Sequence, residues 1–239
     1  MRGFEKGNIG KPFPEKVTGR ASREPAYNSR TTYHVIRYEA PASVGEKKLE
    51  DLSYDGTISN GQMKGGLGQL VDGLYGEDVF DPRDPSDAGS RWIGWLNESL
   101  PGQQLDITFE FDSPREFSFA HVYVNNMFTR SVQVFSSAMV FFSLDGVRYQ
   151  PTPVRMTMEP DLSRESARNV SIPLENRVGK FVKIQFGFLA HWILISEISF
   201  ESGEFQKKKF PYIPGSLGFD LRVWSRALEG GTKLLHEDL

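Results

Sequence analysis

Leu105-Asp106-Ile107-Thr108-Phe109-Glu110-Phe111 is the stretch that decides the fold class. Apolar residues at 105, 107, 109 and 111 alternate with polar ones between them. That is the period of a strand with one face in a core and one in water. Shorter runs of the same character follow: Val122-Tyr123-Val124, Val132-Gln133-Val134-Phe135, and Met139 to Leu144. The last ends on Asp145-Gly146, a hairpin signal. Phe181 to Phe188 and Trp192 to Phe200 read as a closing pair of strands, with Leu194, Ser196, Ile198 and Phe200 on one face. Upstream, the β-branched and aromatic residues from Tyr33 to Tyr38 predict a first strand. Lys64-Gly65-Gly66-Leu67-Gly68 and Asp81-Pro82-Arg83-Asp84-Pro85-Ser86-Asp87 read as loops. Many short strands at close spacing, with no long amphipathic helix, predict an all-β sandwich or jelly roll.

Around this region the composition changes. Residues 1–32 are rich in Gly, Pro, Arg, Lys and Ser without periodicity, and are expected to be a disordered lead-in to a folded domain over 33–202. Residues 203–239 read as a tail or linker of juxtamembrane character, with Lys207-Lys208-Lys209 a solvated run of three charges. Arg226 to Leu239 could form a short helix but has no apolar stripe. The 18 Phe and 13% aromatic content supply ample core material. A net charge of -3 argues against a nucleic-acid partner, which calls for a strongly basic face. No apolar run, Trp192 to Ile195 among them, approaches a bilayer span, so no membrane insertion is expected. The sequence has no cysteine, which removes disulfides, thiolate metal sites and a cysteine nucleophile together. Behind Met1 no apolar stretch of signal-peptide type follows.

Catalytic motifs fail one after another. The Gly-rich loop lacks the third glycine of a dinucleotide fingerprint, that position being Val71, and it lacks the Gly-Lys-Ser/Thr of a phosphate loop. His34, His121, His191 and His236 show no zincin spacing. No Gly-x-Ser-x-Gly elbow is present. Glu77-Asp78 could in principle serve a glycosidase, but adjacent loop carboxylates are more often turn residues or cation ligands. The expectation is a recognition module and not an enzyme.

Four segments, in order, resemble the discoidin-like domain of the discoidin domain receptors, the collagen-activated receptor tyrosine kinases. They are Tyr54-Asp55-Gly56, the stretch from Gly65 to Gly73, the stretch from Trp92 to Asn97, and the stretch from Trp192 to Phe200. Phe109-Glu110-Phe111-Asp112, Asn125-Asn126-Met127 and Val170 to Leu174 fall between them in the right order. The resemblance covers roughly residues 33–202 and is to the second, discoidin-like, extracellular domain. It implies a discoidin-type, galactose-binding-domain-like β-sandwich. It also implies a place on the extracellular face of the plasma membrane, and collagen as a partner reached through a neighbouring domain, with possible receptor self-association. The receptors' first discoidin domain, transmembrane helix and kinase have no counterpart here, so the sequence resembles a truncated isoform, a fragment or an incomplete gene model. A second departure is that family cysteines fall at Val124, Phe141 and Ile184. Packed hydrophobes in their place would fill core volume but forfeit about 2–4 kcal/mol of unfolded-state constraint.

The resemblance also implies a structural calcium ion. Calcium takes roughly six to eight oxygen ligands of mixed kind. Gln69 and Asp72 share one short loop and can offer an amide oxygen and a carboxylate, and Glu197 a second carboxylate from the last strand. By resemblance, backbone oxygens of Glu50, Leu74, Ser90, Trp92 and Ser196 would complete the shell. The plainer reading is that Gln69 to Gly73 is a turn with Asp72 capping backbone amides, and that Glu197 pairs with an arginine. Asn97-Glu98-Ser99 and Asn169-Val170-Ser171 are glycosylation sequons, and Asn97 matches a glycosylated family position. Trp92 and Trp95 read as sandwich-rim core residues, with binding anchors the alternative. The alternative to the receptor module is a free-standing, lectin-like carbohydrate-binding or adhesive module. A glycosidase-type jelly roll is a weaker third reading.

Overall fold

The computed structural model describes residues 34–43, 47–78, 91–100, 102 and 104–205. The lead-in over 1–32, Tyr33, the 81–87 loop, Ser90 and the Lys207–Lys209 run lie outside them, as does the 226–239 segment.

The alternating stretch grows into a strand three times its length. β5 runs from Gln104 to Val124 and organises everything else. The other strands are β1 (Val35–Pro41), β2 (Thr57–Ser59), β3 (Gln62–Gly66), β4 (Ile93–Leu96), β6 (Ser137–Ser143), β7 (Val154–Thr157), β8 (Arg168–Gly187) and β9 (Trp192–Glu204). Among the described residues the helical elements include short 3-10 turns at Lys47–Leu49, Gln69–Val71, Asn97–Ser99 and Phe128–Arg130. Along one edge β5 pairs antiparallel with β8 from end to end. Its other edge holds β1 as far as Phe111, then β9 from Arg115 to Val124. Between these partners, at Glu110 to Arg115, the β5–β8 register breaks, and the long strands pass from one layer to the other. One layer is therefore β2-β3-β1-β5-β8-β6-β7, and the other is β4-β9 with the far halves of β5 and β8.

The core lies between the layers. Leu105, Ile107, Phe109 and Phe111 are all fully buried, as the alternation predicts. Phe200 of β9 meets Phe109, Phe111 and Phe117 at ring-centroid distances of 5.0, 5.2 and 5.9 Å. The opposite face of β5 is less wet than expected. Glu110 is buried there beneath ion pairs with Arg37 and, at 2.9 Å, with Lys180.

Several sequence expectations need correction. Residues 181–188 and 192–200 are not paired with each other; they flank β5 on opposite edges, because a strand this long can recruit a partner on each. Val132 to Phe135 is not a strand but a loop joined by isolated bridges at Val132. The Gly-dense loop begins only at Leu67, since Lys64 to Gly66 belong to β3. The β2–β3 hairpin turns at Asn60-Gly61, both with positive φ, a signal the sequence carries plainly. Phe141 is half-exposed beneath the Lys183 ammonium, whereas Val124 and Ile184 are core, so the three cysteine-equivalent positions are not all packed hydrophobes. β9 extends to Glu204, two residues past the expected end of the domain.

Candidate metal centre

The site begins with a fault in the last strand. Tyr123 of β5 is paired with Glu197, yet its neighbour Val124 is paired with Ile195, so β9 carries an extra residue at Ser196-Glu197. This bulge overturns the expected face of Leu194, Ser196, Ile198 and Phe200. Ile193 and Ile195 join Ile198 and Phe200 in the main core, and Leu194 belongs to a second cluster with Leu49, Trp92, Met127 and Val132. A bulge re-aims side chains. Here it leaves Ser196 and Glu197 buried, both bonded to the loop that follows the Gln69–Val71 turn.

That loop is held at close range. Gly73 N–H donates to Glu197 Oε2 at 3.1 Å, and Gly76 N–H donates to Ser196 Oγ at 2.9 Å. Gly73 has φ +78, a conformation that excludes most side chains. At Gly76 a Cβ would lie 2.3 Å from the Trp92 ring, so the loop can cross Trp92 only with glycine there. Trp92 stacks on Tyr123 with centroids 5.6 Å apart, and Tyr75 meets Tyr123 edge-on. The Trp92 indole donates to the Glu77 carbonyl at 3.0 Å, and Trp95 donates to the Pro41 carbonyl at 2.8 Å. Both tryptophans are fully buried, as the core reading expects, and neither is free to anchor a ligand.

Glu197 is the electrostatic centre of this arrangement. It is 1% exposed. Burial, with the charge of Asp72 adding to it, pushes its carboxyl up to about 9 against the pull of the Gly73 N–H. Oε1 of Glu197 is buried and accepts no hydrogen bond, and the same holds for Oε1 of Gln69. Buried polar atoms without partners are uncommon and point to a missing water or ion. The Gln69–Val71 turn packs on β9 and Asp72 caps it. Asp72 accepts from Leu74 N–H at 2.8 Å and lies 3.4 Å from Arg91, and burial raises its carboxyl. The turn reading of Asp72 is thus correct as geometry, but the arginine partner belongs to Asp72 and not to Glu197. Trp92 and Ser196 border the same loop. Glu50 is exposed beside the Lys47–Leu49 turn, and Ser90 lies outside the described residues.

Gln69, Asp72 and Glu197 offer an amide oxygen and two carboxylates, the kind of donor that suits a hard cation. Among the described residues no group of three or more His, Cys, Asp or Glu is gathered, so any cation here would rest on two carboxylates with amide and backbone oxygens.

The family model for the DS-like domain of discoidin domain-containing receptors 1 and 2 matches residues 31–202. The chain belongs to this family. It is 36% identical to the epithelial discoidin domain-containing receptor 1 of Homo sapiens over 201 residues, 80% of this chain and 22% of that protein. It is 35% identical to the discoidin domain-containing receptor tyrosine kinase B of Caenorhabditis elegans over 156 residues, 64% of this chain and 19% of that protein. The chain thus spans about a fifth of the length of these receptors. Among solved structures it is similar to the C-terminal domain of a chitobiase from Bacteroides fragilis, at 7% identity and a TM-score of 0.43. That match covers 71% of this chain and 92% of that one.

Within this DS-like domain the two sequons differ in setting. Asn169 is exposed on β8, its sequon hydroxyl Ser171 Oγ lying 2.8 Å from the His121 ring. Asn97 opens a 3-10 turn at the mouth of an open cleft shared with Phe188, Leu189, Ala190 and His191, and its Oδ1 is buried. Glu77 and Asp78 do structural work: the Glu77 carbonyl receives Trp92, and Asp78 accepts from the Ala167 N–H. Sequence reasoning missed Asp51, a buried carboxylate that receives the Gln69 N–H. Its signal was Asp51-Leu52-Ser53, an acid two residues ahead of a serine in a turn-rich stretch.

Proposed function

We propose that this chain is the second, discoidin-like extracellular module of a collagen-receptor-type discoidin domain receptor, a non-enzymatic scaffold stabilised by calcium. The observation that carries the reading is the family match over 31–202 together with two buried oxygens that lack partners, Oε1 of Gln69 and Oε1 of Glu197 at the β9 bulge. Calcium would be held by the Gln69 amide oxygen and the carboxylates of Asp72 and Glu197. Backbone oxygens of Glu50, Leu74, Ser90, Trp92 and Ser196 are the remaining candidates. When bound, it supplies two positive charges where burial otherwise keeps Glu197 protonated. Gly73 and Gly76 already tether the loop to β9, and a cation that holds Glu197 ionised would strengthen the Gly73 N–H bond to it. The role of the module is to position a neighbouring collagen-binding domain and to support association of receptor chains at the outer cell surface. Glycans at Asn97 and Asn169 belong to the same extracellular reading.

The test is binding of the purified chain to immobilised triple-helical collagen, with heat-denatured collagen and chelator as controls. An accessory module gives no saturable binding. Saturable binding that requires the triple helix would assign collagen recognition to this module itself and overturn the accessory role.

A further inference from the structure

We infer that Asp51 is the positioning residue of the cation site: its buried carboxylate fixes the start of the Gln69–Val71 turn and so aims the Gln69 amide oxygen. The inference rests on the calcium reading above and deepens it.

Asp51 is 5% exposed, and hydrogen-bond donors surround its carboxylate. Tyr38, a fully buried core residue of β1, donates its hydroxyl to Oδ2. Ser53 donates both its N–H and its hydroxyl to Oδ1, at 3.2 and 3.1 Å. The Gln69 N–H then approaches both oxygens at 3.1 Å. Several N–H and O–H donors converge on its two oxygens and hold the carboxylate in one orientation. The first N–H of a 3-10 turn has no partner within the turn, and Asp51 supplies one from 18 residues away. Contact is closed by Gly68, where a Cβ would lie 2.3 Å from Asp51 Oδ2, so the chain can press its backbone against the carboxylate.

The consequence is directional. Tyr38 is anchored in the sandwich core, Asp51 is anchored to Tyr38, and Gln69 is anchored to Asp51. The Gln69 backbone is thereby fixed, and its side-chain oxygen, like Oε1 of Glu197, is buried and without a hydrogen-bond partner. A second link holds Tyr38 on its other side: the Tyr54 hydroxyl donates to the Tyr38 carbonyl at 2.6 Å and accepts from the Gly66 N–H at 3.0 Å. Without Asp51 the Gln69 oxygen keeps its chemistry but loses its aim.

Asp51→Asn keeps the shape but puts an NH2 where the Tyr38 hydroxyl and Gln69 N–H need acceptors. Calcium affinity, measured by isothermal titration on the full 239-residue chain, is expected to fall roughly tenfold or more, the usual loss when a group that orients a ligand is removed. Gln69→Ala should fall similarly, and the double variant should bind no more weakly than Gln69→Ala alone, because both act through one oxygen. A merely structural role for Asp51 would lower the melting temperature without that coupling. If Asp51→Asn does not fold, Tyr38→Phe removes the core anchor of the same carboxylate and should weaken calcium severalfold with the same dependence on Gln69. Unchanged affinity in a folded Asp51→Asn, or additive losses in the double variant, overturns the positioning role while leaving the calcium reading intact. Absence of calcium binding by the unaltered chain removes both.

Discussion

Replacing Glu197 by Gln should change how stability depends on pH, and the direction follows from the buried carboxyl. Glu197 ordinarily titrates near 4.5 and is pushed up to about 9 in the fold. Between these values the folded chain holds a proton that the unfolded chain has released. Stability contributed by this group is therefore complete below about 4.5 and is lost as pH rises through about 9. At about 1.36 kcal/mol per pKa unit, the rise from 4.5 to about 9 sets a ceiling of roughly 6 kcal/mol, released at up to about 1.4 kcal/mol per pH unit. Gln has the shape of the protonated acid and cannot ionise. In chelator, wild type should lose stability relative to Glu197→Gln as pH goes from about 6 to about 8, by on the order of 2–3 kcal/mol. Urea unfolding followed by tryptophan fluorescence reads this difference, since Trp92 and Trp95 are buried and exposed together on unfolding. Calcium should abolish the wild-type slope, because a cation holds the carboxylate ionised in the fold. A wild-type-minus-variant difference that is constant across this pH range would refute the argument.

Two further outcomes follow from the packing and the surface. Phe200→Ala removes the ring that joins both layers through Phe109, Phe111 and Phe117, and should cost about 3–5 kcal/mol by urea titration; a loss under about 1 kcal/mol would mean the layers do not share this core. Secretory expression with an added leader should yield chains that lose mass on glycosidase treatment, and Asn169→Gln should remove one glycan, because Asn169 is exposed on β8. An unchanged mass in the unaltered chain would count against the extracellular reading.

How far the sequence could be read depends on the range of the signal. Period-2 alternation is local, and Leu105 to Phe111 folds as its pattern says. Gln69 and Asp72 are three residues apart and also legible, and the turn they share forms. What failed was non-local. Nothing within residues 181–200 tells that β8 and β9 occupy opposite edges of β5, since that depends on β5 being long enough to serve both. The bulge at Ser196-Glu197 is likewise invisible in a run of eight buried residues, where alternation carries no information about facing. Yet that bulge is what turns Glu197 toward the loop. Asp51 escaped notice because its partners, Tyr38 and Gln69, lie 13 and 18 residues away. Phe141 misled because hydrophobicity says nothing of facing: on the outer side of β6 it packs beneath Lys183.

The most direct test of the whole account is calcium titration of the intact chain by calorimetry and thermal unfolding, beside Glu197→Gln. The account predicts one calcium per wild-type chain. Saturation near 100 times the dissociation constant should stabilise the fold by about 2.7 kcal/mol, a rise in melting temperature of roughly 5–10 °C, and the variant should lose it. A wild-type chain that binds no calcium and melts at the same temperature with calcium or chelator would contradict it.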